Sequence, residues 1–363
     1  MKQNLLTLIL CVVFYSLFSC GDNGNDDYIQ IPAGLASPVI MNLDSIPYTK
    51  LSHYNFFEGD IKNQQPVQGV LPYDLNSSLF TDYALKKRFV WMPEGTKATY
   101  VTDGEVLDFP TGTALIKTFY YDNAYPSGTT DIVETRIMIK KADGWIFANY
   151  VWNAEMTEAV LTTNSGSKTI KWYQGDYLRT VNYKIPSQAQ CASCHTLNNT
   201  FVPIGPKPQN LNKNYTYTDS VNNQLYKWMA IGYLNAVPPN IASTADWTDV
   251  SLSLDVRARS YLDINCAHCH TTGGSCSYTP MNLAFNKTNI RSNLGICIEP
   301  QDFVSGDEQY IIAGQDAEAS LMLSKIRTTD PNEMMPLIGR SLIHREGIAL
   351  IQEWIDTMDA ACP

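Results

Sequence analysis

Between Leu51 and Tyr183, apolar residues recur in short runs that are rich in β-branched and aromatic side chains. The clearest are Arg88 to Met92 (RFVWM), Leu115 to Tyr121 (LIKTFYY), Thr135 to Lys140 (TRIMIK), Ile146 to Trp152 (IFANYVW) and Ile170 to Tyr173 (IKWY). Such runs fit a pleated, half-buried surface and predict strands. Asp143-Gly144 between the third and fourth run is a tight-turn signal, and the cluster Tyr125 to Gly128 reads as a loop. The pattern predicts an antiparallel sandwich or barrel.

After Ile185 the period lengthens. Ser220 is placed to cap a helix running through Trp228 and Met229, and Ser253 to cap one in which Leu254, Ala258, Tyr261, Leu262 and Asn265 share a face. A third helix is expected from about His344 to Met358, with Ile348, Ile351, Trp354, Ile355 and Met358 at helical spacing. The second half therefore reads as mainly helical.

The first residues follow a different rule. One basic residue, Lys2, precedes an apolar stretch from Leu5 to Phe18, which fits the core of a secretory signal and is short for a membrane span. It ends in Leu17, Phe18, Ser19, Cys20, Gly21, which resembles the lipobox of bacterial lipoproteins. That resemblance implies cleavage before Cys20 and lipidation of its thiol, with two or more acyl chains giving stable anchoring. The acidic run Gly21 to Asp27 would serve as a solvated tether.

Composition narrows the remaining choices. The chain has 363 residues, 44% hydrophobic and 17% charged, so it can bury sizeable cores. Its net charge of −10 opposes binding to phosphate backbones, which excludes nucleic acid as the expected partner.

The chemistry is carried by cysteine. Cys191-Ala192-Ser193-Cys194-His195 and Cys266-Ala267-His268-Cys269-His270 are two copies of CxxCH. Two thiols about one helical turn apart can add to the two vinyl groups of one haem, and the adjacent imidazole reaches the iron. Two such motifs in an exported chain predict two covalently attached haems. Zinc would need two more ligands per pair or a shared cluster of all four thiolates, and would leave the His after each second Cys without a reason.

Each iron then needs a sixth ligand or an open face. Met335, beside Met334 and before Pro336, resembles the Met-Pro loop of class I cytochromes c and is expected to serve the second haem, with Met334 and His344 as competitors. For the first haem Met229 is one candidate, and Met138 and Met156 are others. Pro206 resembles the proline of the cytochrome c loop, which implies that its carbonyl accepts from the second ring nitrogen of His195, and Pro280 is the counterpart for His270. His53 and His268 read as surface residues. Cys276 and Cys297 flank a loop short enough to bridge, leaving Cys362 free or competing.

Several longer segments resemble a family of uncharacterised bacterial dihaem c-type cytochromes. They are Gly69 to Trp91 (GVLPYDLNSSLFTDYALKKRFVW), Tyr150 to Ala159 (YVWNAEMTEA), Tyr261 to His270 (YLDINCAHCH) and Met334 to Ile355. The resemblance implies electron transfer and names no donor or acceptor. The expected fold class is α+β and multidomain: an N-terminal antiparallel β-sandwich-like region, then two mainly α-helical cytochrome c-like haem modules. The expected segments are a leader (1–19), an acidic tether (20–48), a β-rich domain (49–183) and haem modules at 184–249 and 250–363. The expected protein is exported and lipid-anchored to a bacterial membrane, the outer one, facing the periplasm or the surface, with redox proteins as partners. A dihaem peroxidase with an open first haem and a carbohydrate-binding β module attached to a redox domain are the alternatives.

Overall fold

The alternating runs fold as strands where the pattern places them. Two short strands, β1 (Phe57–Glu58) and β2 (Gln65–Pro66), form a ribbon ahead of the main sheet. That sheet has eight antiparallel strands: β3 (Leu71–Tyr73), β4 (Leu85–Trp91), β5 (Ala114–Ala124), β6 (Thr129–Lys141), β7 (Gly144–Trp152), β8 (Ala159–Thr162), β9 (Gly166–Gln174) and β10 (Tyr177–Ile185). Strands β3 to β8 pair in sequence order, and the β9-β10 hairpin joins the end of β5 through the pair Ala124 and Trp172. Lys141 pairs with Gly144, so the β6-β7 turn residues are Ala142 and Asp143, and Gly144 is the first residue of the new strand. The structure, a computed structural model, describes residues 36–363. The expected leader and the expected lipidation site Cys20 lie outside the described residues. Ser37–Pro363 cluster as one compact unit.

A second sheet does not close the sandwich. The inward positions of one face, including Ile116, Ile137, Ile139 and Tyr150, are covered by Tyr54, Phe56, Phe57 and Val67 from the chain ahead of the sheet. Ile46 belongs to this core, with Val39, Met41 and Tyr48 packed against it, so the stretch expected to be tether is docked from its last third onward. The alternate positions Leu115, Met138, Trp145 and Phe147 pack on Leu211, Leu225, Trp228 and Leu234 from the second half of the chain. Trp91, Trp145, Trp152 and Trp172 are all buried. The tryptophans of the β region are therefore core residues, not an exposed platform.

The mainly helical second half is corrected. Two short ribbons, β11 (Thr196–Leu197) with β12 (Thr200–Phe201) and β13 (Asn214–Thr216) with β14 (Val221–Asn223), interrupt it. Six helices occur among the described residues: α1 (Gln188–His195), α2 (Pro208–Leu211), α3 (Gln224–Ala230), α4 (Leu254–Asn265), α5 (Leu321–Arg327) and α6 (Arg345–Asp356). None exceeds 12 residues. The chain is mostly β, and no pair of helical haem modules forms. Breakers explain the difference: Pro238-Pro239-Asn240, Gly273-Gly274 and Pro280 cut the long stretches between helices into turns. Ser220 caps nothing, because Val221–Asn223 pair as a strand and Asn223 caps α3 instead, accepting from the backbone N–H of Leu225. Ser253 caps α4 as expected. Helices α4 and α6 share a third core with Leu294, Ile296, Ile312 and Leu323.

The disulfide is also corrected: Cys297 bonds Cys362, not Cys276. After α6 the chain turns back, held where Gln315 Nε2 donates to the Met358 carbonyl (2.8 Å) and the Tyr310 hydroxyl to that of Pro363 (2.8 Å). Cys362 thereby comes to a Cα–Cα distance of 5.3 Å from Cys297. Cys276 is drawn elsewhere by its backbone N–H, which donates to the Cys269 carbonyl (3.1 Å). The bridge closes a loop with a sequence separation of 65, so chain entropy assigns it about 4 kcal/mol. Cys362→Ser should lower urea-unfolding stability by that order, and Cys276→Ser should leave the disulfide content unchanged in a thiol-counting mass measurement.

Candidate functional site

Both CxxCH motifs line one cavity of about 520 Å3, partly open to solvent, between the sheet and the chain that covers it. The first motif lies on α1. Its N-cap Ser187 accepts from the backbone N–H of Gln190, whose side chain accepts from Ser187 N–H in return, a reciprocal cap that fixes the entry to the motif. The helix rests on β7, where the rings of Phe147 and His195 meet edge to face at 5.2 Å. Thiols Cys191 and Cys194 and the ring of His195 all line the cavity.

The second motif begins where α4 stops. Cys266 is the C-cap, its N–H donating to the Leu262 carbonyl (2.9 Å). The next residues turn back so that the N–H groups of Cys269 and His270 both donate to the Cys266 carbonyl, at 3.1 and 3.0 Å. Gly274 is required by this turn, because a Cβ there would sit 2.4 Å from the Cys269 carbonyl oxygen. The two motifs are tied to each other by backbone. Leu197, just after the first, bridges Gly274, and the N–H of Asn198 donates to the carbonyl of Gly273 (2.9 Å).

The hydrogen bonds decide the tautomer of each motif histidine. His195 Nδ1–H donates to the Val202 carbonyl (2.8 Å), which can only accept, so Nε2 keeps its lone pair. His270 Nδ1 lies 3.0 Å from Thr279 Oγ1, whose own proton goes to the Cys276 carbonyl (2.8 Å), so the ring again donates and Nε2 is again free. Burial pushes His195 down to about 3 and His270 to about 4, which keeps both rings neutral and able to bind metal. Val202 and Thr279 thus fill the roles expected of Pro206 and Pro280.

Met335 lines the cavity, whereas Met334 is buried away from it. The Met335 N–H donates to the Lys325 carbonyl (2.9 Å). Arg340, itself buried, donates to the carbonyls of Met335 (3.0 Å), Lys325 (3.3 Å), Thr328 (2.8 Å) and Leu342 (3.3 Å). Four carbonyls on one guanidinium hold the methionine loop against the wall. Met229 is corrected: it is 40% exposed and does not reach the cavity, because Leu225 and Trp228 take the inward face of α3. Met138 lines the cavity from β6, and Met156 lies across the sheet with its sulfur near Ile132 N–H.

His53 is exposed as expected, and two other histidines are not where their neighbours suggest. His268 lines the cavity, and its buried Nδ1 has no hydrogen-bond partner among the described residues. One of its ring nitrogens and the sulfurs of Cys194 and Cys269 lie within 4.8 Å of one another. A hydrogen bond from Cys269 holds the Cys194 thiol below its ordinary range, and one between Cys276 and Cys269, with burial, pushes Cys276 up. His344 occupies the N-cap position of α6 without capping it. Its ring stacks on Phe80 at 4.2 Å and its Nδ1 meets the Tyr261 hydroxyl at 2.9 Å.

The residues fit a porphyrin. Apolar walls, two ligand-competent imidazoles, paired thiols beside each and a thioether lining the same cavity are the donor set such a group needs. The sequence reading missed the sheet residues of the site. Lys117 and Arg136 line the cavity beside Leu115 and Met138, and the signal was a charged residue at the inward parity of an otherwise apolar strand.

Two measurements follow from these contacts. Arg340→Ala should cost about 3 kcal/mol in urea unfolding, since it leaves four carbonyls without a charged donor. Burial, followed by the neighbouring Arg88 and Arg136, lowers Lys86 to about 7. Between about pH 7 and 10 the unfolded chain then holds a proton that the folded one lacks, so stability should rise with pH, and Lys86→Met should flatten that slope. No protein-family model, curated protein or solved structure matches this chain.

Proposed function

We propose that this chain is an exported, lipid-anchored electron carrier of the dihaem c type. Cys191, Cys194 and His195 would hold one haem, and Cys266, Cys269 and His270 the other. The observation that carries the reading is the convergence of two CxxCH motifs on one cavity, each histidine presenting a lone-pair Nε2. A bound haem supplies one-electron exchange between ferric and ferrous iron. The chain's part is to attach, orient and insulate. Val202 and Thr279 fix the two imidazoles, Arg340 holds the loop that carries Met335, and the mainly apolar wall would limit water at a bound haem. Because the motifs share one cavity, electrons would pass between two centres within it rather than between separate modules.

A second reading has one observation in its favour: the Cys194, Cys269 and His268 donors gathered within 4.8 Å, with Cys276 adjacent, resemble a soft tetrahedral metal site. The two readings exclude each other, because a sulfur alkylated by a haem vinyl group is no longer a thiolate.

Protein matured in a periplasm competent for haem attachment should carry two haems per chain by pyridine haemochrome and by intact mass. Cys191→Ser with Cys194→Ser should leave one. A bare polypeptide containing one zinc, released on acidification, would establish the second reading in place of the first.

A further inference from the structure

The cavity wall formed by the sheet carries more positive charge than the protein neutralises. In the register of β4, β5, β6 and β7, Arg88 faces Lys117, Lys117 faces Arg136, and Arg136 faces Asn149. Three cations therefore stand side by side across adjacent strands on one face, an arrangement that costs stability when nothing offsets it. Two are paired: Arg88 with Asp74 at 2.6 Å, and Arg136 with Glu134. Lys117 has no ion pair within 4 Å among the described residues, and its ammonium sits 5.1 Å from the Phe119 ring centroid with the Arg136 guanidinium over the same ring at 4.3 Å.

The same wall borders the cavity. Lys117, Arg136 and Asn149 all line it, so the exposed part of these otherwise enclosed side chains faces the cavity. Arg136 Nε and Asn149 Oδ1 are buried polar atoms with no hydrogen-bond partner among the described residues, and Asn149 is only 6% exposed. An ammonium without an ion pair, on an apolar wall beside a second cation, is what an anionic group requires, and a carboxylate suits it. Burial, together with the neighbouring Arg88, Lys86 and Arg136, disfavours the charged form of Lys117 until such an anion arrives.

We propose that Lys117, with Arg136 beside it, is the anion-binding wall of this cavity and takes a carboxylate of a porphyrin held there. The inference rests on the haem reading above. The charged or titratable groups around Lys117 are Arg88 and Lys86 on β4, Glu134 and Arg136 on β6, and His195 on α1. The ammonium would bind the carboxylates and oppose the ferric charge of the nearby iron. It would therefore raise the potential of one centre and leave thioether attachment untouched.

The test compares the wild type with Lys117→Gln, Lys117→Arg and the exposed-strand control Lys171→Gln, all matured with haem. Haem content is read by mass and haemochrome, and the two midpoint potentials by spectroelectrochemistry. Lys117→Gln should keep both haems and shift the ferric-to-ferrous ratio of one centre about tenfold toward ferric, ~59 mV for a one-electron couple. Lys117→Arg should restore the wild-type value, and Lys171→Gln should not move it. If Lys117→Gln does not accumulate, Lys117→Met, which keeps the chain length, replaces it with the same expectation. Haem-loaded Lys117 variants with both potentials unchanged would overturn the inference and leave the carrier reading standing. A wild type without haem would overturn both.

Discussion

One sheet with two unlike faces governs this structure. Alternation along β5, β6 and β7 sends Ile116, Ile137 and Tyr150 to one side and Leu115, Met138 and Phe147 to the other, so each face needs its own cover. The chain before the sheet seals the first with aromatic and aliphatic side chains. The chain after it seals only part of the second, and the part left open carries Lys117, Arg136 and Asn149 and becomes the cavity wall. Packing thus creates the site: the covering layer stops where the sheet face turns from apolar to cationic.

The nearness of the two motifs has a similarly local origin. A backbone bridge from Leu197 to Gly274 and the bond from Asn198 to Gly273 join the loops that follow each histidine. Asp263, one turn before the second motif, accepts from Lys207 (3.1 Å), Gln209 (3.4 Å) and Asn210 (3.3 Å) and from the backbone N–H of Phe285 (3.0 Å), tying the first segment to the second. These are buried, charge-assisted contacts, stronger than their exposed equivalents. On the proposed reading they would set how close two redox centres can come. They also bring Cys194 and Cys269 together, which is why the thiolate-metal reading arises at all.

Much of this was legible in the residues. Every alternating run from Arg88 to Tyr173 forms a strand, with Met92 alone falling one residue past β4, and the cap at Ser253 and the helix after His344 follow from spacing alone. Illegible were the features that depend on partners far along the chain. Met229 has the helical period of a buried residue, yet Leu225 and Trp228 take the inward face. Cys276 and Cys297 are close in sequence, yet the returning tail delivers Cys362 first. His344 competes with Met335 as a ligand by sequence position, yet Phe80 stacks on its ring and the Tyr261 hydroxyl takes its Nδ1.

By itself, the sequence determined the local chemistry: which stretches alternate, which glycines and prolines break a helix, and which thiols stand one turn apart beside an imidazole. These depend on spacing and backbone preference, which act within a few residues. Tertiary structure alone decided that one sheet is covered by two different layers, that both CxxCH motifs open into one cavity, and that an unpaired lysine stands in its wall. Those outcomes are set by which distant surfaces bury one another, a competition among many apolar contacts that no short window of sequence contains.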